Sequence, residues 1–170
     1  MQEDWVVMRT GGRVSCLVIL IALVLVSAQG DFEESSGVVV ASRGDVSVIS
    51  GGESRPLKQG DFIHEHDEII VSTRSFAVLQ LVDGAKLTLR PDSALIIEQY
   101  HYGGPGEDSV TLNLVSGSLG LAAGAIASSQ PENYRIRTSV ALMSVQGRES
   151  SLSLCGDKIC DRKGLVDIPQ

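Results

Sequence analysis

Short runs of alternating apolar and polar residues recur along most of the chain. Residues 45–48 (Asp-Val-Ser-Val) and 86–90 (Lys-Leu-Thr-Leu-Arg) alternate strictly, and the pairs Gly51-Gly52 and Asp83-Gly84 lie beside such runs. A period of two predicts half-buried β-strands, and glycine-containing pairs between strands predict hairpins. The pattern therefore predicts an all-β fold, a single domain of short antiparallel strands that form a sandwich, a barrel or a short solenoid-like roll.

The Asp83-Gly84 pair gives the clearest hairpin signal. It follows a nearly continuous apolar run at residues 76–82 and precedes the alternating run at 86–90. Asp-Gly is typical of a type I′ turn, which needs a positive φ at both positions. Alternation predicts that one set of side chains faces the core: Val46, Val48, Leu79, Leu81, Leu87, Leu89, Leu112 and Leu114. Further strands are predicted at residues 94–100, 110–115, 118–123, 134–138, 141–146 and 151–155.

Three segments are predicted to fall outside regular strands, wholly or in part. Residues 119–128 contain two interior glycines and no charged residue. Because glycine weakens a helix, we expect a strand followed by a loose connection there. Residues 50–56 and 100–108 are rich in glycine and contain proline, so we expect surface loops at both places.

The N-terminal residues 1–28 have the features of a secretory signal peptide. Residues 16–26 are apolar throughout, Arg9 and Arg13 precede them, and small residues end at Ala28. A basic part, an apolar part and a small-residue part in this order are typical of a cleaved signal. The alternative is an uncleaved membrane anchor, although a span needs about 20 apolar residues. We expect a periplasmic or secreted protein, with an inner-membrane anchored form as the alternative.

The charge balance narrows the classes of partner. The chain has 14 Lys plus Arg against 21 Asp plus Glu, a net charge of −7, and no long basic block. Binding to phosphates needs clustered cations, so we expect no nucleic-acid partner. We also expect no cofactor, and contact with a membrane only through the N-terminal segment if it is uncleaved.

Seven short motifs follow one another between residues 38 and 147. They are Gly44-x-Val46-x-Val48, Leu57-x-x-Gly60-Asp61, Ile69-x-Val71-x-Thr73, Ala77-x-Leu79-x-Leu81-x-Asp83-Gly84, Leu87-x-Leu89-x-Pro91-x-Ser93, Leu114-x-Ser116-Gly117-Ser118-Leu119 and Arg137-Thr138-x-Val140-Ala141-x-x-x-Val145-x-Gly147. In this order they resemble the FecR-domain family of exported bacterial proteins. The resemblance implies a FecR-like extracytoplasmic β domain over residues 38–147, of the kind found in signalling regulators and envelope proteins. Residues 148–170 are then a C-terminal strand or hairpin extension with a cysteine pair.

Cys155 and Cys160 are predicted to form a disulfide across a hairpin. They flank a turn that begins with Gly156-Asp157, and strand-like residues lie on both sides. The spacing is not the C-x-x-C of redox motifs, and no second pair of Cys or His residues lies nearby to complete a zinc site. An oxidising compartment favours the disulfide.

Two histidines and three acids lie together at residues 64–68 (His-Glu-His-Asp-Glu). In an extended strand His64 and His66 would lie on one face, about 7 Å apart, which raises the hypothesis of a shared metal ion. Zinc sites take three or four protein ligands, and a third ligand at fixed geometry is not evident. We therefore predict a solvated turn and no metal site.

The residues Tyr100, His101 and Tyr102 mark a possible binding loop. They precede Gly103-Gly104-Pro105-Gly106, and their rings could form a ledge that stacks against a sugar or a peptide. The alternative is that Tyr100 closes a strand edge and the loop is merely exposed. Arg135 and Arg137 alternate on one strand face and could hold an acidic partner, although exposed pairs of charges usually bind nothing specific.

No motif of a catalytic nucleophile, a nucleotide-binding loop or a metalloprotease is present in the sequence. We therefore predict a non-enzymatic module of the bacterial cell envelope, exported and acting by binding or as a scaffold, with an unknown envelope component or protein as its partner. One alternative is a membrane-anchored FecR-like signal-transduction regulator. A second alternative is a hydrolase that acts on envelope polymers.

Overall fold

A computed structural model describes residues 35–103 and 107–168, so the predicted signal peptide or anchor at residues 1–28 lies outside the described residues. The described part belongs to one compact unit. Fifteen strands, one short α-helix, α1 (Ala125–Ser129), and one 3₁₀ turn (Pro131–Asn133) are found in it. The strands are β1 (Gly37–Arg43), β2 (Val46–Ser50), β3 (Glu53–Pro56), β4 (Phe62–Ile63), β5 (Glu68–Val71), β6 (Phe76–Leu81), β7 (Lys86–Leu89), β8 (Ser93–His101), β9 (Ser109–Ser116), β10 (Ser118–Ala122), β11 (Tyr134–Arg137), β12 (Leu142–Val145), β13 (Glu149–Cys155), β14 (Lys158–Lys163) and β15 (Leu165–Asp167).

The strands form two sheets that pack against each other like the layers of a sandwich. Sheet I has seven strands in the order β14-β13-β10-β7-β6-β1-β4. Sheet II has eight strands in the order β15-β12-β11-β9-β8-β5-β2-β3. The all-β prediction is confirmed, and of the three arrangements left open by the sequence the structure has the sandwich-like one.

One buried apolar cluster fills the space between the sheets. It combines inward residues of sheet I, such as Leu79 and Leu89, with inward residues of sheet II, such as Ile97 and Leu112. All eight side chains predicted to face the core are buried, with at most 4% of their surface exposed. The period of two in the sequence thus identified the inward faces correctly, because successive side chains of a strand point to opposite sides of its sheet.

The hairpin at Asp83-Gly84 joins β6 to β7 as predicted, but its turn type is not the predicted one. Only Gly84 has a positive φ, of 88°. The amide of Gly84 donates to the carbonyl of Leu81 at 3.0 Å, and the amide of Leu81 donates to the carbonyl of Ala85 at 2.8 Å. This is a three-residue loop, a type I turn closed by a glycine in the left-handed region. The type I′ prediction was wrong because the loop has three residues, Val82, Asp83 and Gly84, and Asp83 does not have a positive φ.

The type I′ turn that was expected at Asp83-Gly84 is found instead at Gly51-Gly52, inside a segment predicted to be a loop. Both glycines have positive φ, 57° and 86°, and Ser50 pairs with Glu53 across them. A two-residue loop with two positive φ values is the type I′ hairpin. Residues 50–56 are therefore not a loop. They contain the turn that joins β2 to β3 and the strand β3 itself, because two adjacent glycines allow this tight turn.

The segment 119–128 was only partly predicted. Its first part is β10, but the expected loose connection contains the helix α1 (Ala125–Ser129). The main-chain carbonyl of Asp83 accepts a hydrogen bond from Ala125 at 2.9 Å, and Ile126 is buried in the core. These two tertiary contacts stabilise a helix of five residues that is too short to be stable by itself.

The expectation of antiparallel strands holds for every described pair except β9 and β11. These two strands run parallel, with Tyr134 beside Val110 and Arg137 beside Asn113. A parallel pair needs a crossover, and here the chain crosses to sheet I as β10 before it returns through α1. The predicted C-terminal extension is integral to both layers, since β13 and β14 complete sheet I and β15 completes sheet II.

Replacing Leu79 with Ala should lower the free energy of unfolding by about 2 to 5 kcal/mol, because the fully buried side chain would leave a cavity. Thr88 lies in the neighbouring strand and is exposed, so Thr88→Ala should cost less than about 1 kcal/mol. Urea unfolding of the two variants measures both values. Equal losses at the two positions would contradict the assigned faces.

Candidate functional site

Tyr100, the first residue of the predicted binding loop, ties the two sheets together. It lies near the end of β8 in sheet II, is half-buried and packs against the core. Its hydroxyl accepts a hydrogen bond from the main-chain amide of Asp83 at 2.8 Å, in the β6–β7 turn of sheet I. Much of this side chain is therefore engaged within the domain.

The Asp83 carboxylate holds the β6–β7 turn against helix α1. It is 6% exposed and accepts hydrogen bonds from the amides of Ala85 at 3.1 Å and Ile126 at 3.4 Å. A side chain at Gly124 would collide with the same carboxylate and with the amide of Ala85. Glycine is the residue that permits this close approach, since any Cβ at position 124 would displace the carboxylate.

Asp83, Tyr100 and Tyr134 form a polar node inside the sandwich. Burial raises the pKa of the Asp83 carboxyl above its ordinary value of 3.8, and hydrogen bonds from Ala85 and Ile126 oppose that rise. Burial also raises the pKa of both tyrosine hydroxyls. The Tyr134 hydroxyl is buried without a hydrogen-bond partner among the described residues. Asp83 and Tyr134 are shielded from solvent and Tyr100 is half-buried, which suits a structural role.

The other two residues of the predicted binding loop are also partly covered. His101 is half-buried, and its Nε2 atom is shielded without a hydrogen-bond partner in the described ranges. Tyr102 packs against the core. The Asp108 carboxylate accepts a hydrogen bond from Gly103 at 2.8 Å and so closes the base of the loop. The three rings leave only partial surfaces for a ligand, and binding at this loop stays a prediction.

The residues 64–68 form the turn that leads into β5. His64 and His66 differ in environment, with 27% and 77% of their side chains exposed. Asp67 is buried, and its carboxylate accepts a hydrogen bond from the amide of His64 at 2.9 Å. In the part of the chain that the structure describes, no group of three His, Cys, Asp or Glu side chains could hold a metal ion.

Cys155 and Cys160 are joined by a disulfide at the tip of the β13–β14 hairpin. Their Cα atoms are 5.7 Å apart, within the normal range for such a bond. The register shifts between β13 and β14 beside Cys160, so the two cysteines are not direct cross-strand partners. The disulfide indicates an oxidising compartment. None of the helices in residues 35–103 and 107–168 is long and apolar enough to cross a membrane.

The two lateral sides of the sandwich, where the edge strands of the two sheets come together, differ in the contacts that join the sheets. On one side Arg55 in β3 of sheet II donates to Asp61 at 3.4 Å and to the carbonyl of Phe62 in β4 of sheet I at 3.5 Å. The Asp61 carboxylate also accepts a hydrogen bond from the amide of Lys58 at 2.8 Å. These contacts bridge the two sheets and close that side.

The opposite side holds an open groove of about 680 Å³, which we call the edge groove. Here β14 and β15 are the last strands of sheets I and II. Apolar side chains and charged ones share the lining: Val140, Leu142, Ile159 and Ile168, with Asp157, Lys158, Arg162 and Asp167. An ion pair between Arg162 and Asp167 links the two edge strands. A mixed, shallow groove of this kind resembles the recognition surfaces of proteins more than a closed substrate pocket.

Sequence reasoning missed the edge groove because its walls are far apart along the chain. β12 contributes Leu142, whereas β14 contributes Ile159 and Arg162. The one local signal was the charged run at residues 157–163 beside the cysteines, since charges are typical of an exposed edge strand. Nothing in the periodicity indicated that this strand would lie opposite β15.

Arg135 and Arg137 lie on the outer face of sheet II, as their alternation predicted. Both are exposed, and Arg137 pairs with Glu98 at 3.1 Å. Asn113 donates to the same carboxylate at 2.9 Å. Glu98 neutralises Arg137, whereas Arg135 donates to the carbonyl of Glu132 at 3.1 Å, so only one of the two arginines keeps an unpaired charge among the described residues.

Comparison with known proteins identifies no relative. No family model matches the chain, and neither a curated protein nor a solved structure matches it.

Asp83 should make the stability of the protein depend on pH. Its pKa is raised in the folded state, so the folded protein binds this proton more tightly than the unfolded chain. The stability that Asp83 contributes should therefore fall as the pH rises from the unfolded value through the raised folded value. When the pH is lowered from about 7 to about 4, the free energy of unfolding of the wild type should rise relative to that of Asp83→Asn. Urea unfolding of both proteins at the two pH values measures this change.

Asp157→Asn is the control, because it removes one carboxylate from an exposed hairpin tip. The wild type and this variant should differ by the same amount at both pH values. If the difference in unfolding free energy between the wild type and Asp83→Asn is the same at both pH values, the assignment of a raised pKa to Asp83 is contradicted.

Alkylation of the unreduced protein should label neither Cys155 nor Cys160, since both sulfur atoms are in the disulfide. A double Cys→Ser variant should lose about 2 kcal/mol of unfolding free energy, because the bond closes only a short loop. Mass spectrometry counts the labels and urea unfolding measures the loss. Full labelling of both cysteines in protein taken from its native compartment would refute the pairing.

Proposed function

We propose that the protein is an exported, non-enzymatic binding or scaffold module of the bacterial cell envelope, and that it holds a partner protein in the edge groove. The observation that carries the proposal is the open side of the sandwich. There, two edge strands and apolar side chains are accessible, whereas the opposite side is closed by Arg55 and Asp61. Edge strands and exposed apolar residues are surfaces that partners commonly use.

The compartment part of the proposal has two supports. The disulfide Cys155–Cys160 fits the oxidising periplasm or the exterior of the cell. The basic, apolar and small-residue parts at residues 1–28 fit an export signal. The resemblance of residues 38–147 to the FecR-domain family adds an extracytoplasmic role as an expectation.

The non-enzymatic part is supported by where the ionisable groups lie. The groups with raised pKa values, Asp83, Tyr100 and Tyr134, are in the interior and not in the edge groove. A catalytic acid or base is usually found in an accessible cleft with its pKa shifted by its surroundings. Here the perturbed groups serve the packing of the two sheets.

The membrane-anchored regulator is the second candidate, and the family resemblance favours it. It requires residues 16–26 to remain as an anchor. The intact mass of protein recovered from the envelope separates the two, since cleavage after Ala28 removes the apolar run. The hydrolase alternative requires turnover of an envelope polymer by the purified protein.

Replacing Val140 with Asp should abolish capture of the partner protein from envelope extracts, because a carboxylate would be placed in the apolar part of the groove. Val82→Asp is the matched control, since Val82 and Val140 are 54% and 53% exposed and only Val140 lines the groove. Quantitative mass spectrometry of the recovered proteins compares the two variants. Equal loss with both, or retention with both, would contradict binding in the edge groove.

A further inference from the structure

A row of exposed side chains crosses the outer face of sheet I. Arg43 in β1 is the direct cross-strand partner of Phe76 in β6. Ala77 pairs with Leu89 on the other side, so Arg90 follows β7 beside Phe76. The amide of Arg90 donates to Ser118 at 3.2 Å, which continues the ladder into β10. We call Arg43, Phe76 and Arg90 the arginine–phenylalanine row.

The row faces solvent because its neighbours face the core. Ala77 and Leu89 are completely buried, and alternation turns Phe76 and Arg90 to the opposite face. Phe76 is 38% exposed, and both arginines are exposed. An aromatic ring therefore lies on the surface with a guanidinium-bearing side chain on each side of it.

The two arginines of the row have no carboxylate within ion-pair distance among the described residues. Neither Arg43 nor Arg90 forms an ion pair within residues 35–103 and 107–168. The nearest acids along the chain keep their charge but are bonded elsewhere, since Asp45 accepts from the Ser72 hydroxyl at 3.2 Å and Asp92 from the Thr73 hydroxyl at 2.7 Å. The row therefore presents two unpaired guanidinium groups on a chain with a net charge of −7.

The distance between the two arginines and the flat sheet surface around them favour one kind of anionic ligand. Arg43 and Arg90 are separated by two inter-strand spacings, roughly 9 to 10 Å. Beyond Arg90 the same line continues with the small side chains of Ser118 and Ser153 and ends at Asp161 in the edge strand β14, so the unobstructed part of the line runs from Arg43 to Ser153. A stiff chain of sugar rings that carry carboxylates fits such a track. A peptide would instead add to a sheet edge, where backbone groups are free.

We propose that the arginine–phenylalanine row binds an acidic polysaccharide, with a sugar ring on Phe76 and uronate carboxylates on Arg43 and Arg90. The guanidinium fork matches a carboxylate and stays charged at every physiological pH. The aromatic face offers an apolar surface to the ring's C–H groups. This site lies on the outer face of sheet I and is independent of the edge groove.

The test measures binding of oligogalacturonate to the full exported protein by calorimetry at low salt. We expect binding by the wild type, a loss of about tenfold in Arg43→Gln/Arg90→Gln, and about fivefold weaker binding in Phe76→Ala. Phe76→Tyr should retain the wild-type affinity, because the ring remains.

Matched controls distinguish binding at this site from nonspecific electrostatic binding of a polyanion elsewhere on the protein. Phe62→Ala removes another exposed phenylalanine from the outer face of sheet I, and Arg135→Gln removes an exposed arginine from sheet II. Both should bind as the wild type does. The proposal is overturned if oligogalacturonate does not bind, if poly-L-glutamate of equal charge binds equally well, or if the control variants lose as much affinity as the row variants.

Discussion

Burial of one face of each sheet against the other is the interaction on which the rest of the domain depends. The inward side chains are mostly Val, Leu and Ile, and Tyr134 is the one aromatic among the buried hydrophobic residues of the described chain. Aliphatic side chains of similar length can fill the gap between two sheets at close-packed density. Because the inner faces are used for stability, recognition is left to the edges, the hairpin tips and the outer faces.

The polar node at Asp83 shows how such a core includes a charged group. A buried carboxylate is unfavourable unless it is hydrogen-bonded, and the amides of Ala85 and Ile126 supply those bonds. The Tyr100 hydroxyl fixes the same turn from the other sheet. Through its main chain and its carboxylate, Asp83 thereby fixes the position of a hairpin, a helix and a strand end, which explains why α1 is helical despite its length of five residues.

The surface features lie on different sides of the sandwich and fit a module that contacts more than one component. The edge groove lies between β14 and β15, and residues of the disulfide-bridged β13–β14 hairpin form part of its lining. The arginine–phenylalanine row lies on the outer face of sheet I, near its other edge. One sandwich can present both at once, because the two surfaces lie on different sides of it.

The sequence by itself determined the strand periodicity, the eight inward residues, the hairpin at Asp83-Gly84 and the pairing of Cys155 with Cys160, because each depends on residues close together in the chain. Only the tertiary structure decided the order of strands in two sheets, the parallel pair β9 and β11, helix α1 and the edge groove. These depend on contacts such as that between Asp83 and Ile126, 43 residues apart. Local patterns carry no information on which distant segments will meet, since that follows from how all the apolar faces are buried together.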